Sequence, residues 1–403
     1  MSREREADVG GEEYIATVRA CENPGVPRYP HVSSALDSMQ GSLFTKLSGR
    51  IAKLRGEIYP LHVGDSWLPP PAGGRMQDLL SADHPDLNRY ARPHGDPELL
   101  ALLADVYGVD PSLLLITTGA TGALDAIANT LLDPGDEVLI CAPFWPLIRG
   151  IVTASRGVAV EVDVMLSTHG SELAAALEAA VTDRTVAVYV NSPHNPSGRV
   201  LSVEDVQALA GVARRHSLWI WSDAVYEHHA YTTQPVSVRS VAPDCTFEVH
   251  SFSKAWAMAG NRCGFVVGPE DRAHLDRVRR TSTHTFYSAP TASQRAAAEA
   301  LRSGAEWLAE SRRHYLAAGN AAADRLGVPR PDGGTFLFLD VADHLGSDGL
   351  EGFLHRCLDR GLVLAPGSSC GRSYDTYVRL CFTSAPPDVV GRGVEVLAEL
   401  LGR

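Results

Sequence analysis

From about Leu99 onward, short runs rich in Val, Ile and Leu alternate with segments of helical periodicity. That alternation constrains the fold more than any other feature, because strands separated by helices build βαβ units around a mostly parallel sheet. Thr121–Leu132 places Leu124, Ile127, Leu131 and Leu132 on one stripe and predicts a helix, ended by the turn Asp133-Pro134-Gly135-Asp136. Val138–Cys141, Val186–Val190, Leu218–Trp221 and Phe247–His250 read as buried strands. Gly264–Val267 reads as a further strand, antiparallel in expectation, though the sequence does not fix its direction. Val203–Arg215 and Ala292–Arg302 fill gaps as helices. After about residue 305 the rhythm changes: Trp307–Leu326, Leu350–Arg360 and Val389–Leu401 read as helices and Gly334–Val341 as a strand, a smaller α+β unit. Residues 1–35 are polar and contain ENPGVPRYP, which reads as an irregular arm.

Composition narrows the function classes. Apolar residues are 45% and charged residues 21% of the 403, the profile of a globular chain and not of a disordered one. No apolar run approaches the roughly 18 residues of a membrane span, and the opening MSREREADVGGEE lacks the apolar centre of an export signal. A net charge of −12 disfavours nucleic-acid binding, which needs a basic face. The seven cysteines are scattered with no C-x-x-C pair, so neither a disulfide framework nor a zinc knuckle is indicated and a reducing cytoplasm is the expected home. Lysine occurs three times, at Lys46, Lys53 and Lys254, against 33 arginines. The bias itself reads as GC-rich coding, but it leaves three candidates for any lysine chemistry.

Four segments carry possible chemistry. Thr118-Gly119-Ala120-Thr121-Gly122-Ala123 opens the predicted helix with small residues, where exposed N–H groups bind anions; alone it reads as well as a plain glycine-rich turn. Asn191-Ser192-Pro193-His194-Asn195-Pro196-Ser197-Gly198 forms a rigid loop at a strand's carboxyl end, where open α/β sheets bind ligands, or an ordinary turn. Asp223 closes an apolar strand, where a carboxylate needs a cationic or hydrogen-bonding partner, or else caps a helix. Ser251-Phe252-Ser253-Lys254 follows another strand, with Arg262 close behind. Burial there lowers a lysine's pKa and makes its amine a nucleophile for carbonyls, whereas a solvated lysine would do neither.

Together, in order and spacing (28 residues from Asn195 to Asp223, 8 from Lys254 to Arg262), these segments resemble the aspartate-aminotransferase-like, class I/II family of pyridoxal-phosphate (PLP) enzymes of the type I fold. The resemblance covers about residues 60 to 385. It implies a three-layer α/β/α domain over 76–304 with a mostly parallel seven-stranded sheet, and a smaller α+β domain from 36–75 and 305–403. It implies an aminotransferase moving the α-amino group of an amino acid to a 2-oxo acid, with Lys254 as covalent anchor for PLP and then as general base. Asp223 is implied to pair with the pyridine nitrogen, and Tyr226 and Asn195 with the ring's phenolic oxygen. Trp145 would stack on the ring; Ala120, Thr121, Ser251, Ser253 and Arg262 would hold the phosphate. Arg379 and Gly64, with Asn195, are implied to bind the substrate carboxylate. Tyr90 matches a residue reaching the neighbouring subunit's phosphate, which implies a homodimer with shared sites.

Some segments depart from the family pattern. After Gly64 the chain reads Asp65-Ser66-Trp67-Leu68-Pro69-Pro70-Pro71, where members more often carry an acidic residue, Pro and Asp; a differently shaped mouth is expected. In Thr281–Thr291 no arginine is identifiable for a side-chain carboxylate, although Arg279 and Arg280 lie upstream, so aspartate and glutamate are not the expected donors. His284, Phe286 and Tyr287 suit an aromatic or polar substrate side chain and equally suit packing. The unusual mouth keeps a second reading open, a PLP enzyme of specialised metabolism performing elimination, cyclisation or carbon–carbon bond formation. Gly367-Ser368-Ser369-Cys370-Gly371 fits the hydrolase elbow G-x-S-x-G, but no histidine follows His355 to complete a triad. A PLP-binding transcriptional regulator would need a helix-turn-helix domain before the cofactor domain, for which the short arm leaves no room. His228-His229 lacks a third ligand at sensible spacing and reads as packing or solvated histidine.

Overall fold

The computed structural model describes Ser33, Met39 and Leu43–Arg403. The expected arm, Ser33 apart, lies outside the described residues, as does Cys21. In chain order the elements are α1 Leu43–Ile51, β1 Tyr59–Pro60, α2 Pro97–Tyr107, β2 Leu114–Thr117, α3 Gly119–Leu131, β3 Glu137–Ala142, α4 Leu147–Ala154, β4 Val158–Asp163, α5 Gly170–Ala180, β5 Thr185–Asn191, α6 Val203–Arg215 and β6 Trp219–Asp223. Then come α7 Val238–Val241, β7 Thr246–Ser251, β8 Gly264–Val267, α8 Arg272–Thr285, α9 Thr291–Ser303, α10 Ala305–Leu326, β9 Phe336–Asp340, α11 Gly349–Asp359, β10 Leu362–Val363, β11 Ala365–Pro366, β12 Tyr377–Cys381 and α12 Pro387–Leu400.

Seven strands form one sheet in the order β2-β8-β7-β6-β5-β3-β4. Strand β8 runs antiparallel to both its neighbours, as expected, and β7, β6, β5, β3 and β4 are mutually parallel. Side chains alternate across the pleat. Val138 and Ile140 of β3 join a core with α3, while Leu139 and Cys141 join a second core on the other face with α5 and α6. Both faces of the central strands are therefore covered, which is why their sequences are almost continuously apolar. Helix α6 is set by a capping box between Ser202 and Asp205, and α2 by Asp96, whose carboxylate accepts from the N–H groups of Glu98 and Leu99.

A separate apolar cluster joins the two ends of the described chain. Leu47, Tyr59 and Leu61 pack with Tyr315, Leu326, Leu339, Phe353 and Leu380. Around it lie the antiparallel sheet β11-β12-β9 and the parallel pair β1-β10. Leu43–Arg403 lies within one compact unit. Among the described residues no helix is long and apolar enough to cross a membrane.

Candidate active site

The carboxyl ends of the parallel strands converge on one cleft, as they do in open α/β sheets generally. Its volume is about 700 Å³ including the open mouth. Twelve residues singled out in the sequence line it: Gly64, Ala120, Thr121, Trp145, Asn195, Asp223, Tyr226, Ser251, Ser253, Lys254, Arg262 and Arg379.

Asp223 ends β6, in register with Asn191 of β5 and Val249 of β7. Its carboxylate is buried; one oxygen accepts from the Tyr189 hydroxyl (2.7 Å), the other from the Val225 N–H (3.3 Å). Burial pushes its pKa up to about 6, and the Tyr189 bond, the Val225 bond and the Lys254 charge oppose that rise. Lys254 follows β7, and its Nζ donates to the Gly64 carbonyl (2.5 Å). Burial lowers its pKa. Tyr226 is buried, which raises its phenol pKa, and its hydroxyl accepts from Asn195 Nδ2 at 3.4 Å.

One end of the cleft is built for an anion. Helix α3 starts at Gly119, two residues earlier than the hydrophobic stripe suggests, so Ala120 and Thr121 lie in its first turn. The Thr118 side chain makes no capping bond, which leaves first-turn N–H groups without the usual acceptor. Gly119 has φ +78°, and a Cβ on it would stand 2.6 Å from an Arg262 nitrogen. A Cβ on Gly264 would stand 2.7 Å from the His250 carbonyl oxygen and 3.0 Å from the Ala120 nitrogen. Two glycines thus let the helix end and Arg262 close up beside Ser251 and Ser253.

The other end carries Arg379, at the centre of β12. Its Nη1 donates to Asn195 Oδ1 (2.9 Å) and its Nη2 to the His62 carbonyl (3.0 Å), with the guanidinium 4.4 Å over the Phe336 ring. Its Nε is buried and makes no hydrogen bond. Asn191, Val225, Ala259 and Phe336 also line the cleft and were missed by motif reading. Asn191 had a signal, as a polar residue at the end of an apolar strand. Its amide donates to the Asp223 carbonyl (2.7 Å) and its oxygen accepts from the Asn195 N–H (2.7 Å).

Tyr90 stays outside its own chain's cleft: it is 88% exposed and meets Tyr287 edge-on at 5.1 Å. Trp67, expected to shape the mouth, instead packs partly buried against the terminal cluster and meets His314 edge-on at 6.4 Å. Arg279 is buried and committed to Asp276 and the carbonyls of Ser112 and Leu114. Phe286 packs on the core of α3. His229 is fully buried against Tyr315, a packing histidine, and among the described residues no cluster could hold a metal ion.

A model of the family aminotransferase class I and II matches residues 59–397. The aspartate/prephenate aminotransferase of Thermus thermophilus is 32% identical over 78% of this chain and 84% of its own length. The arginine–pyruvate transaminase of Pseudomonas aeruginosa is also 32% identical, over 86% of this chain and 92% of its own. A solved double mutant of the T. thermophilus aspartate aminotransferase superposes with a TM-score of 0.84 at 27% identity, covering 92% of this chain and all of that one. Together with a cleft that gathers Lys254, Asp223 and Arg379, these matches identify the chain: it belongs to the class I and II aminotransferase family.

Proposed function

We propose that the protein carries PLP in this cleft and transfers the α-amino group of an amino acid to a 2-oxo acid. The observation that carries the reading is one partly buried lysine, Lys254, in the same cleft as an uncapped helix end with Arg262 and the buried carboxylate of Asp223. The donor set fits the cofactor at each of its functional groups. The α3 N-terminus, Ser251, Ser253 and Arg262 supply N–H and O–H donors for a phosphate. Asp223 would accept from a ring N–H, Trp145 would cover a ring face, and Tyr226 with Asn195 would reach a ring oxygen. Lys254 is the amine for the aldehyde.

When bound, PLP supplies an electron sink for charge developed at the substrate's Cα. The chain's own residues do the rest. Arg379 would orient the substrate carboxylate through the Nη hydrogens it does not spend on Asn195 and the His62 carbonyl. Gly64 holds the lysine amine at the mouth of the cleft. Burial keeps Lys254 easier to deprotonate than a surface lysine, so its Nζ can take the Cα proton and return it at another carbon. Asp223 is anionic above about pH 6, so it would favour a protonated ring nitrogen when the cofactor is bound. The commitment of Arg279 to backbone carbonyls supports a donor other than aspartate or glutamate.

The two ends of the described chain share one apolar cluster, which supports a small domain from 36–75 and 305–403 beside a large one over 76–304. An exposed aromatic pair, Tyr90 and Tyr287, supports a homodimer in which Tyr90 serves the partner's phosphate cup. The six free cysteines among the described residues suit a reducing cytoplasm.

The test is to add PLP to cofactor-free protein and follow absorbance, then supply single amino acids and 2-oxo acids. A visible band on binding, bleached by a donor amino acid and restored by a 2-oxo acid, is the expected result. A protein that stays colourless overturns the cofactor assignment. Release of ammonia or a leaving group without the reversible bleaching replaces transamination by elimination.

A further inference from the structure

Directly behind the cleft lies a buried cluster of charge that none of these roles uses. His250 is the penultimate residue of β7, immediately before Ser251 and four before Lys254, and is 1% exposed. Its Nδ1 bonds Glu227 Oε1 at 2.8 Å, and its Nε2 stands 3.3 Å from Glu248 Oε1. Glu227 is the residue after Tyr226, and the same carboxylate oxygen accepts from the Tyr107 hydroxyl of α2 at 2.5 Å. Glu248 is buried and accepts from the Ser237 hydroxyl (2.8 Å) and the Arg239 N–H (3.1 Å). The imidazole is stacked on Phe265 of β8 at 4.6 Å, with Tyr107 edge-on at 4.8 Å. The other charged or titratable groups facing this cluster are His228, 3.7 Å from Glu227, Asp223 on the adjacent strand, and the Arg239 guanidinium, which acts on Glu248 while donating to the Gly268 carbonyl.

Glu248 is buried and Glu227 is partly buried, its side chain 24% exposed, and His250 is the cation set between them; carboxylates withdrawn from water need such a partner. Burial alone would lower the His250 pKa, but Glu227 and Glu248 together raise it to about 10, and both glutamates are held below their usual range. The charged pair therefore persists across neutral pH. Its placement is what matters: one anchor is a single residue from Tyr226, the other a single residue from Ser251.

We propose that Glu227 and His250 are positioning residues, a buried ion pair that locks the turn carrying Tyr226 to the strand end carrying Ser251 and Lys254. The two halves of the cofactor site then keep one relative geometry without either residue touching the ligand. This inference rests on the reading of the cleft as a PLP site, and its test separates the two.

Cofactor-free wild type, Glu227→Ala and Glu227→Gln are titrated with PLP, and each is followed by absorbance, by thermal melting, and by the pH dependence of the visible band. Donor half-reactions are measured on the loaded forms. For Glu227→Ala, PLP affinity falls roughly 10- to 100-fold, the range seen when outer partners of a functional group are removed. The half-reaction rate falls with it, while the donor KM moves by less than about two-fold because Arg379 is untouched. Glu227→Gln, which keeps the shape and an acceptor for His250, recovers most of the loss and shifts the pH dependence of the band. Should the alanine variant fail to fold, the glutamine variant carries the test through that pH shift. Variants that melt lower but bind PLP, titrate and react as wild type overturn the proposal, leaving an ion pair that only stabilises. A wild type that takes up no PLP sinks the site reading, and this inference with it.

Discussion

The floor of the cleft and its mouth are made of different material. The floor is strand ends: Asn191, Asp223 and Ser251 close β5, β6 and β7, and ladder register sets where each side chain emerges. The mouth is loop, Leu61–Pro71, held by single contacts such as Thr383 to the Asp65 carbonyl (2.7 Å) and the bond between Ser66 and Tyr315. A floor fixed by cooperative pairing holds chemical groups in place, whereas a mouth fixed by individual contacts can vary in shape without disturbing them. The difference teaches where reaction and specificity reside.

The largest effect should come from the floor. Lys254→Ala is expected to abolish the visible band and cut the donor half-reaction by more than about 10³-fold, the upper part of what a positioned proton-transfer group contributes. Retained colour would show that another amine does the work, and stopped-flow absorbance decides. Next is Arg379→Gln, on a strand that faces the mouth. Its donor KM should rise roughly 30-fold or more, since truncating a buried charge contact costs about 2 kcal/mol or more. Steady-state kinetics with an unchanged KM would remove it from carboxylate binding.

The mouth should respond more mildly. Trp67→Ala removes a partly buried ring from the terminal cluster, so an apoprotein stability loss of about 1–2 kcal/mol is expected, below the value for a fully buried aromatic. Donor preference should stay as in wild type. A change of preferred donor with unchanged denaturant midpoint would return Trp67 to the substrate.

The last effect concerns pH. His250 has a raised pKa, so its contribution to stability is complete below its usual value near 6.5 and is lost as pH rises through about 10. Glu227 and Glu248, held low, contribute above their usual range and lose that contribution in acid. The melting temperature of the apoprotein should therefore fall by a few °C between pH 6.5 and 10, on the order expected for a domain this large. It should fall less steeply in His250→Gln. Parallel slopes would show that other groups govern the alkaline limb.

The same contrast explains what could be read from the chain alone. The central strands are buried on both faces, so their apolar runs stand out, and the turns between them carry the Gly, Pro and polar residues that mark the floor. β4 at the sheet edge, with Val158 and Asp163 exposed, gives a weaker signal and went unassigned. Tyr189 and Phe336 were not legible as site residues because their roles come from register and long-range contact. Tyr189 meets Asp223 across neighbouring strands, and Phe336 underlies an arginine 43 positions later. Trp67, read with the proline run as a sign of a differently shaped mouth, packs on the terminal cluster, because proline and aromatic residues in a loop do not reveal which side they face.

The side chain of Asn191 grips the main chain on both sides of the site, the Asp223 carbonyl with its amide and the Asn195 N–H with its oxygen. Asp223 and Asn195, which bonds Arg379, are thereby hinged to one pin. A library that randomises position 191 would therefore disturb the main chain at Asp223 and at Asn195 in the same stroke.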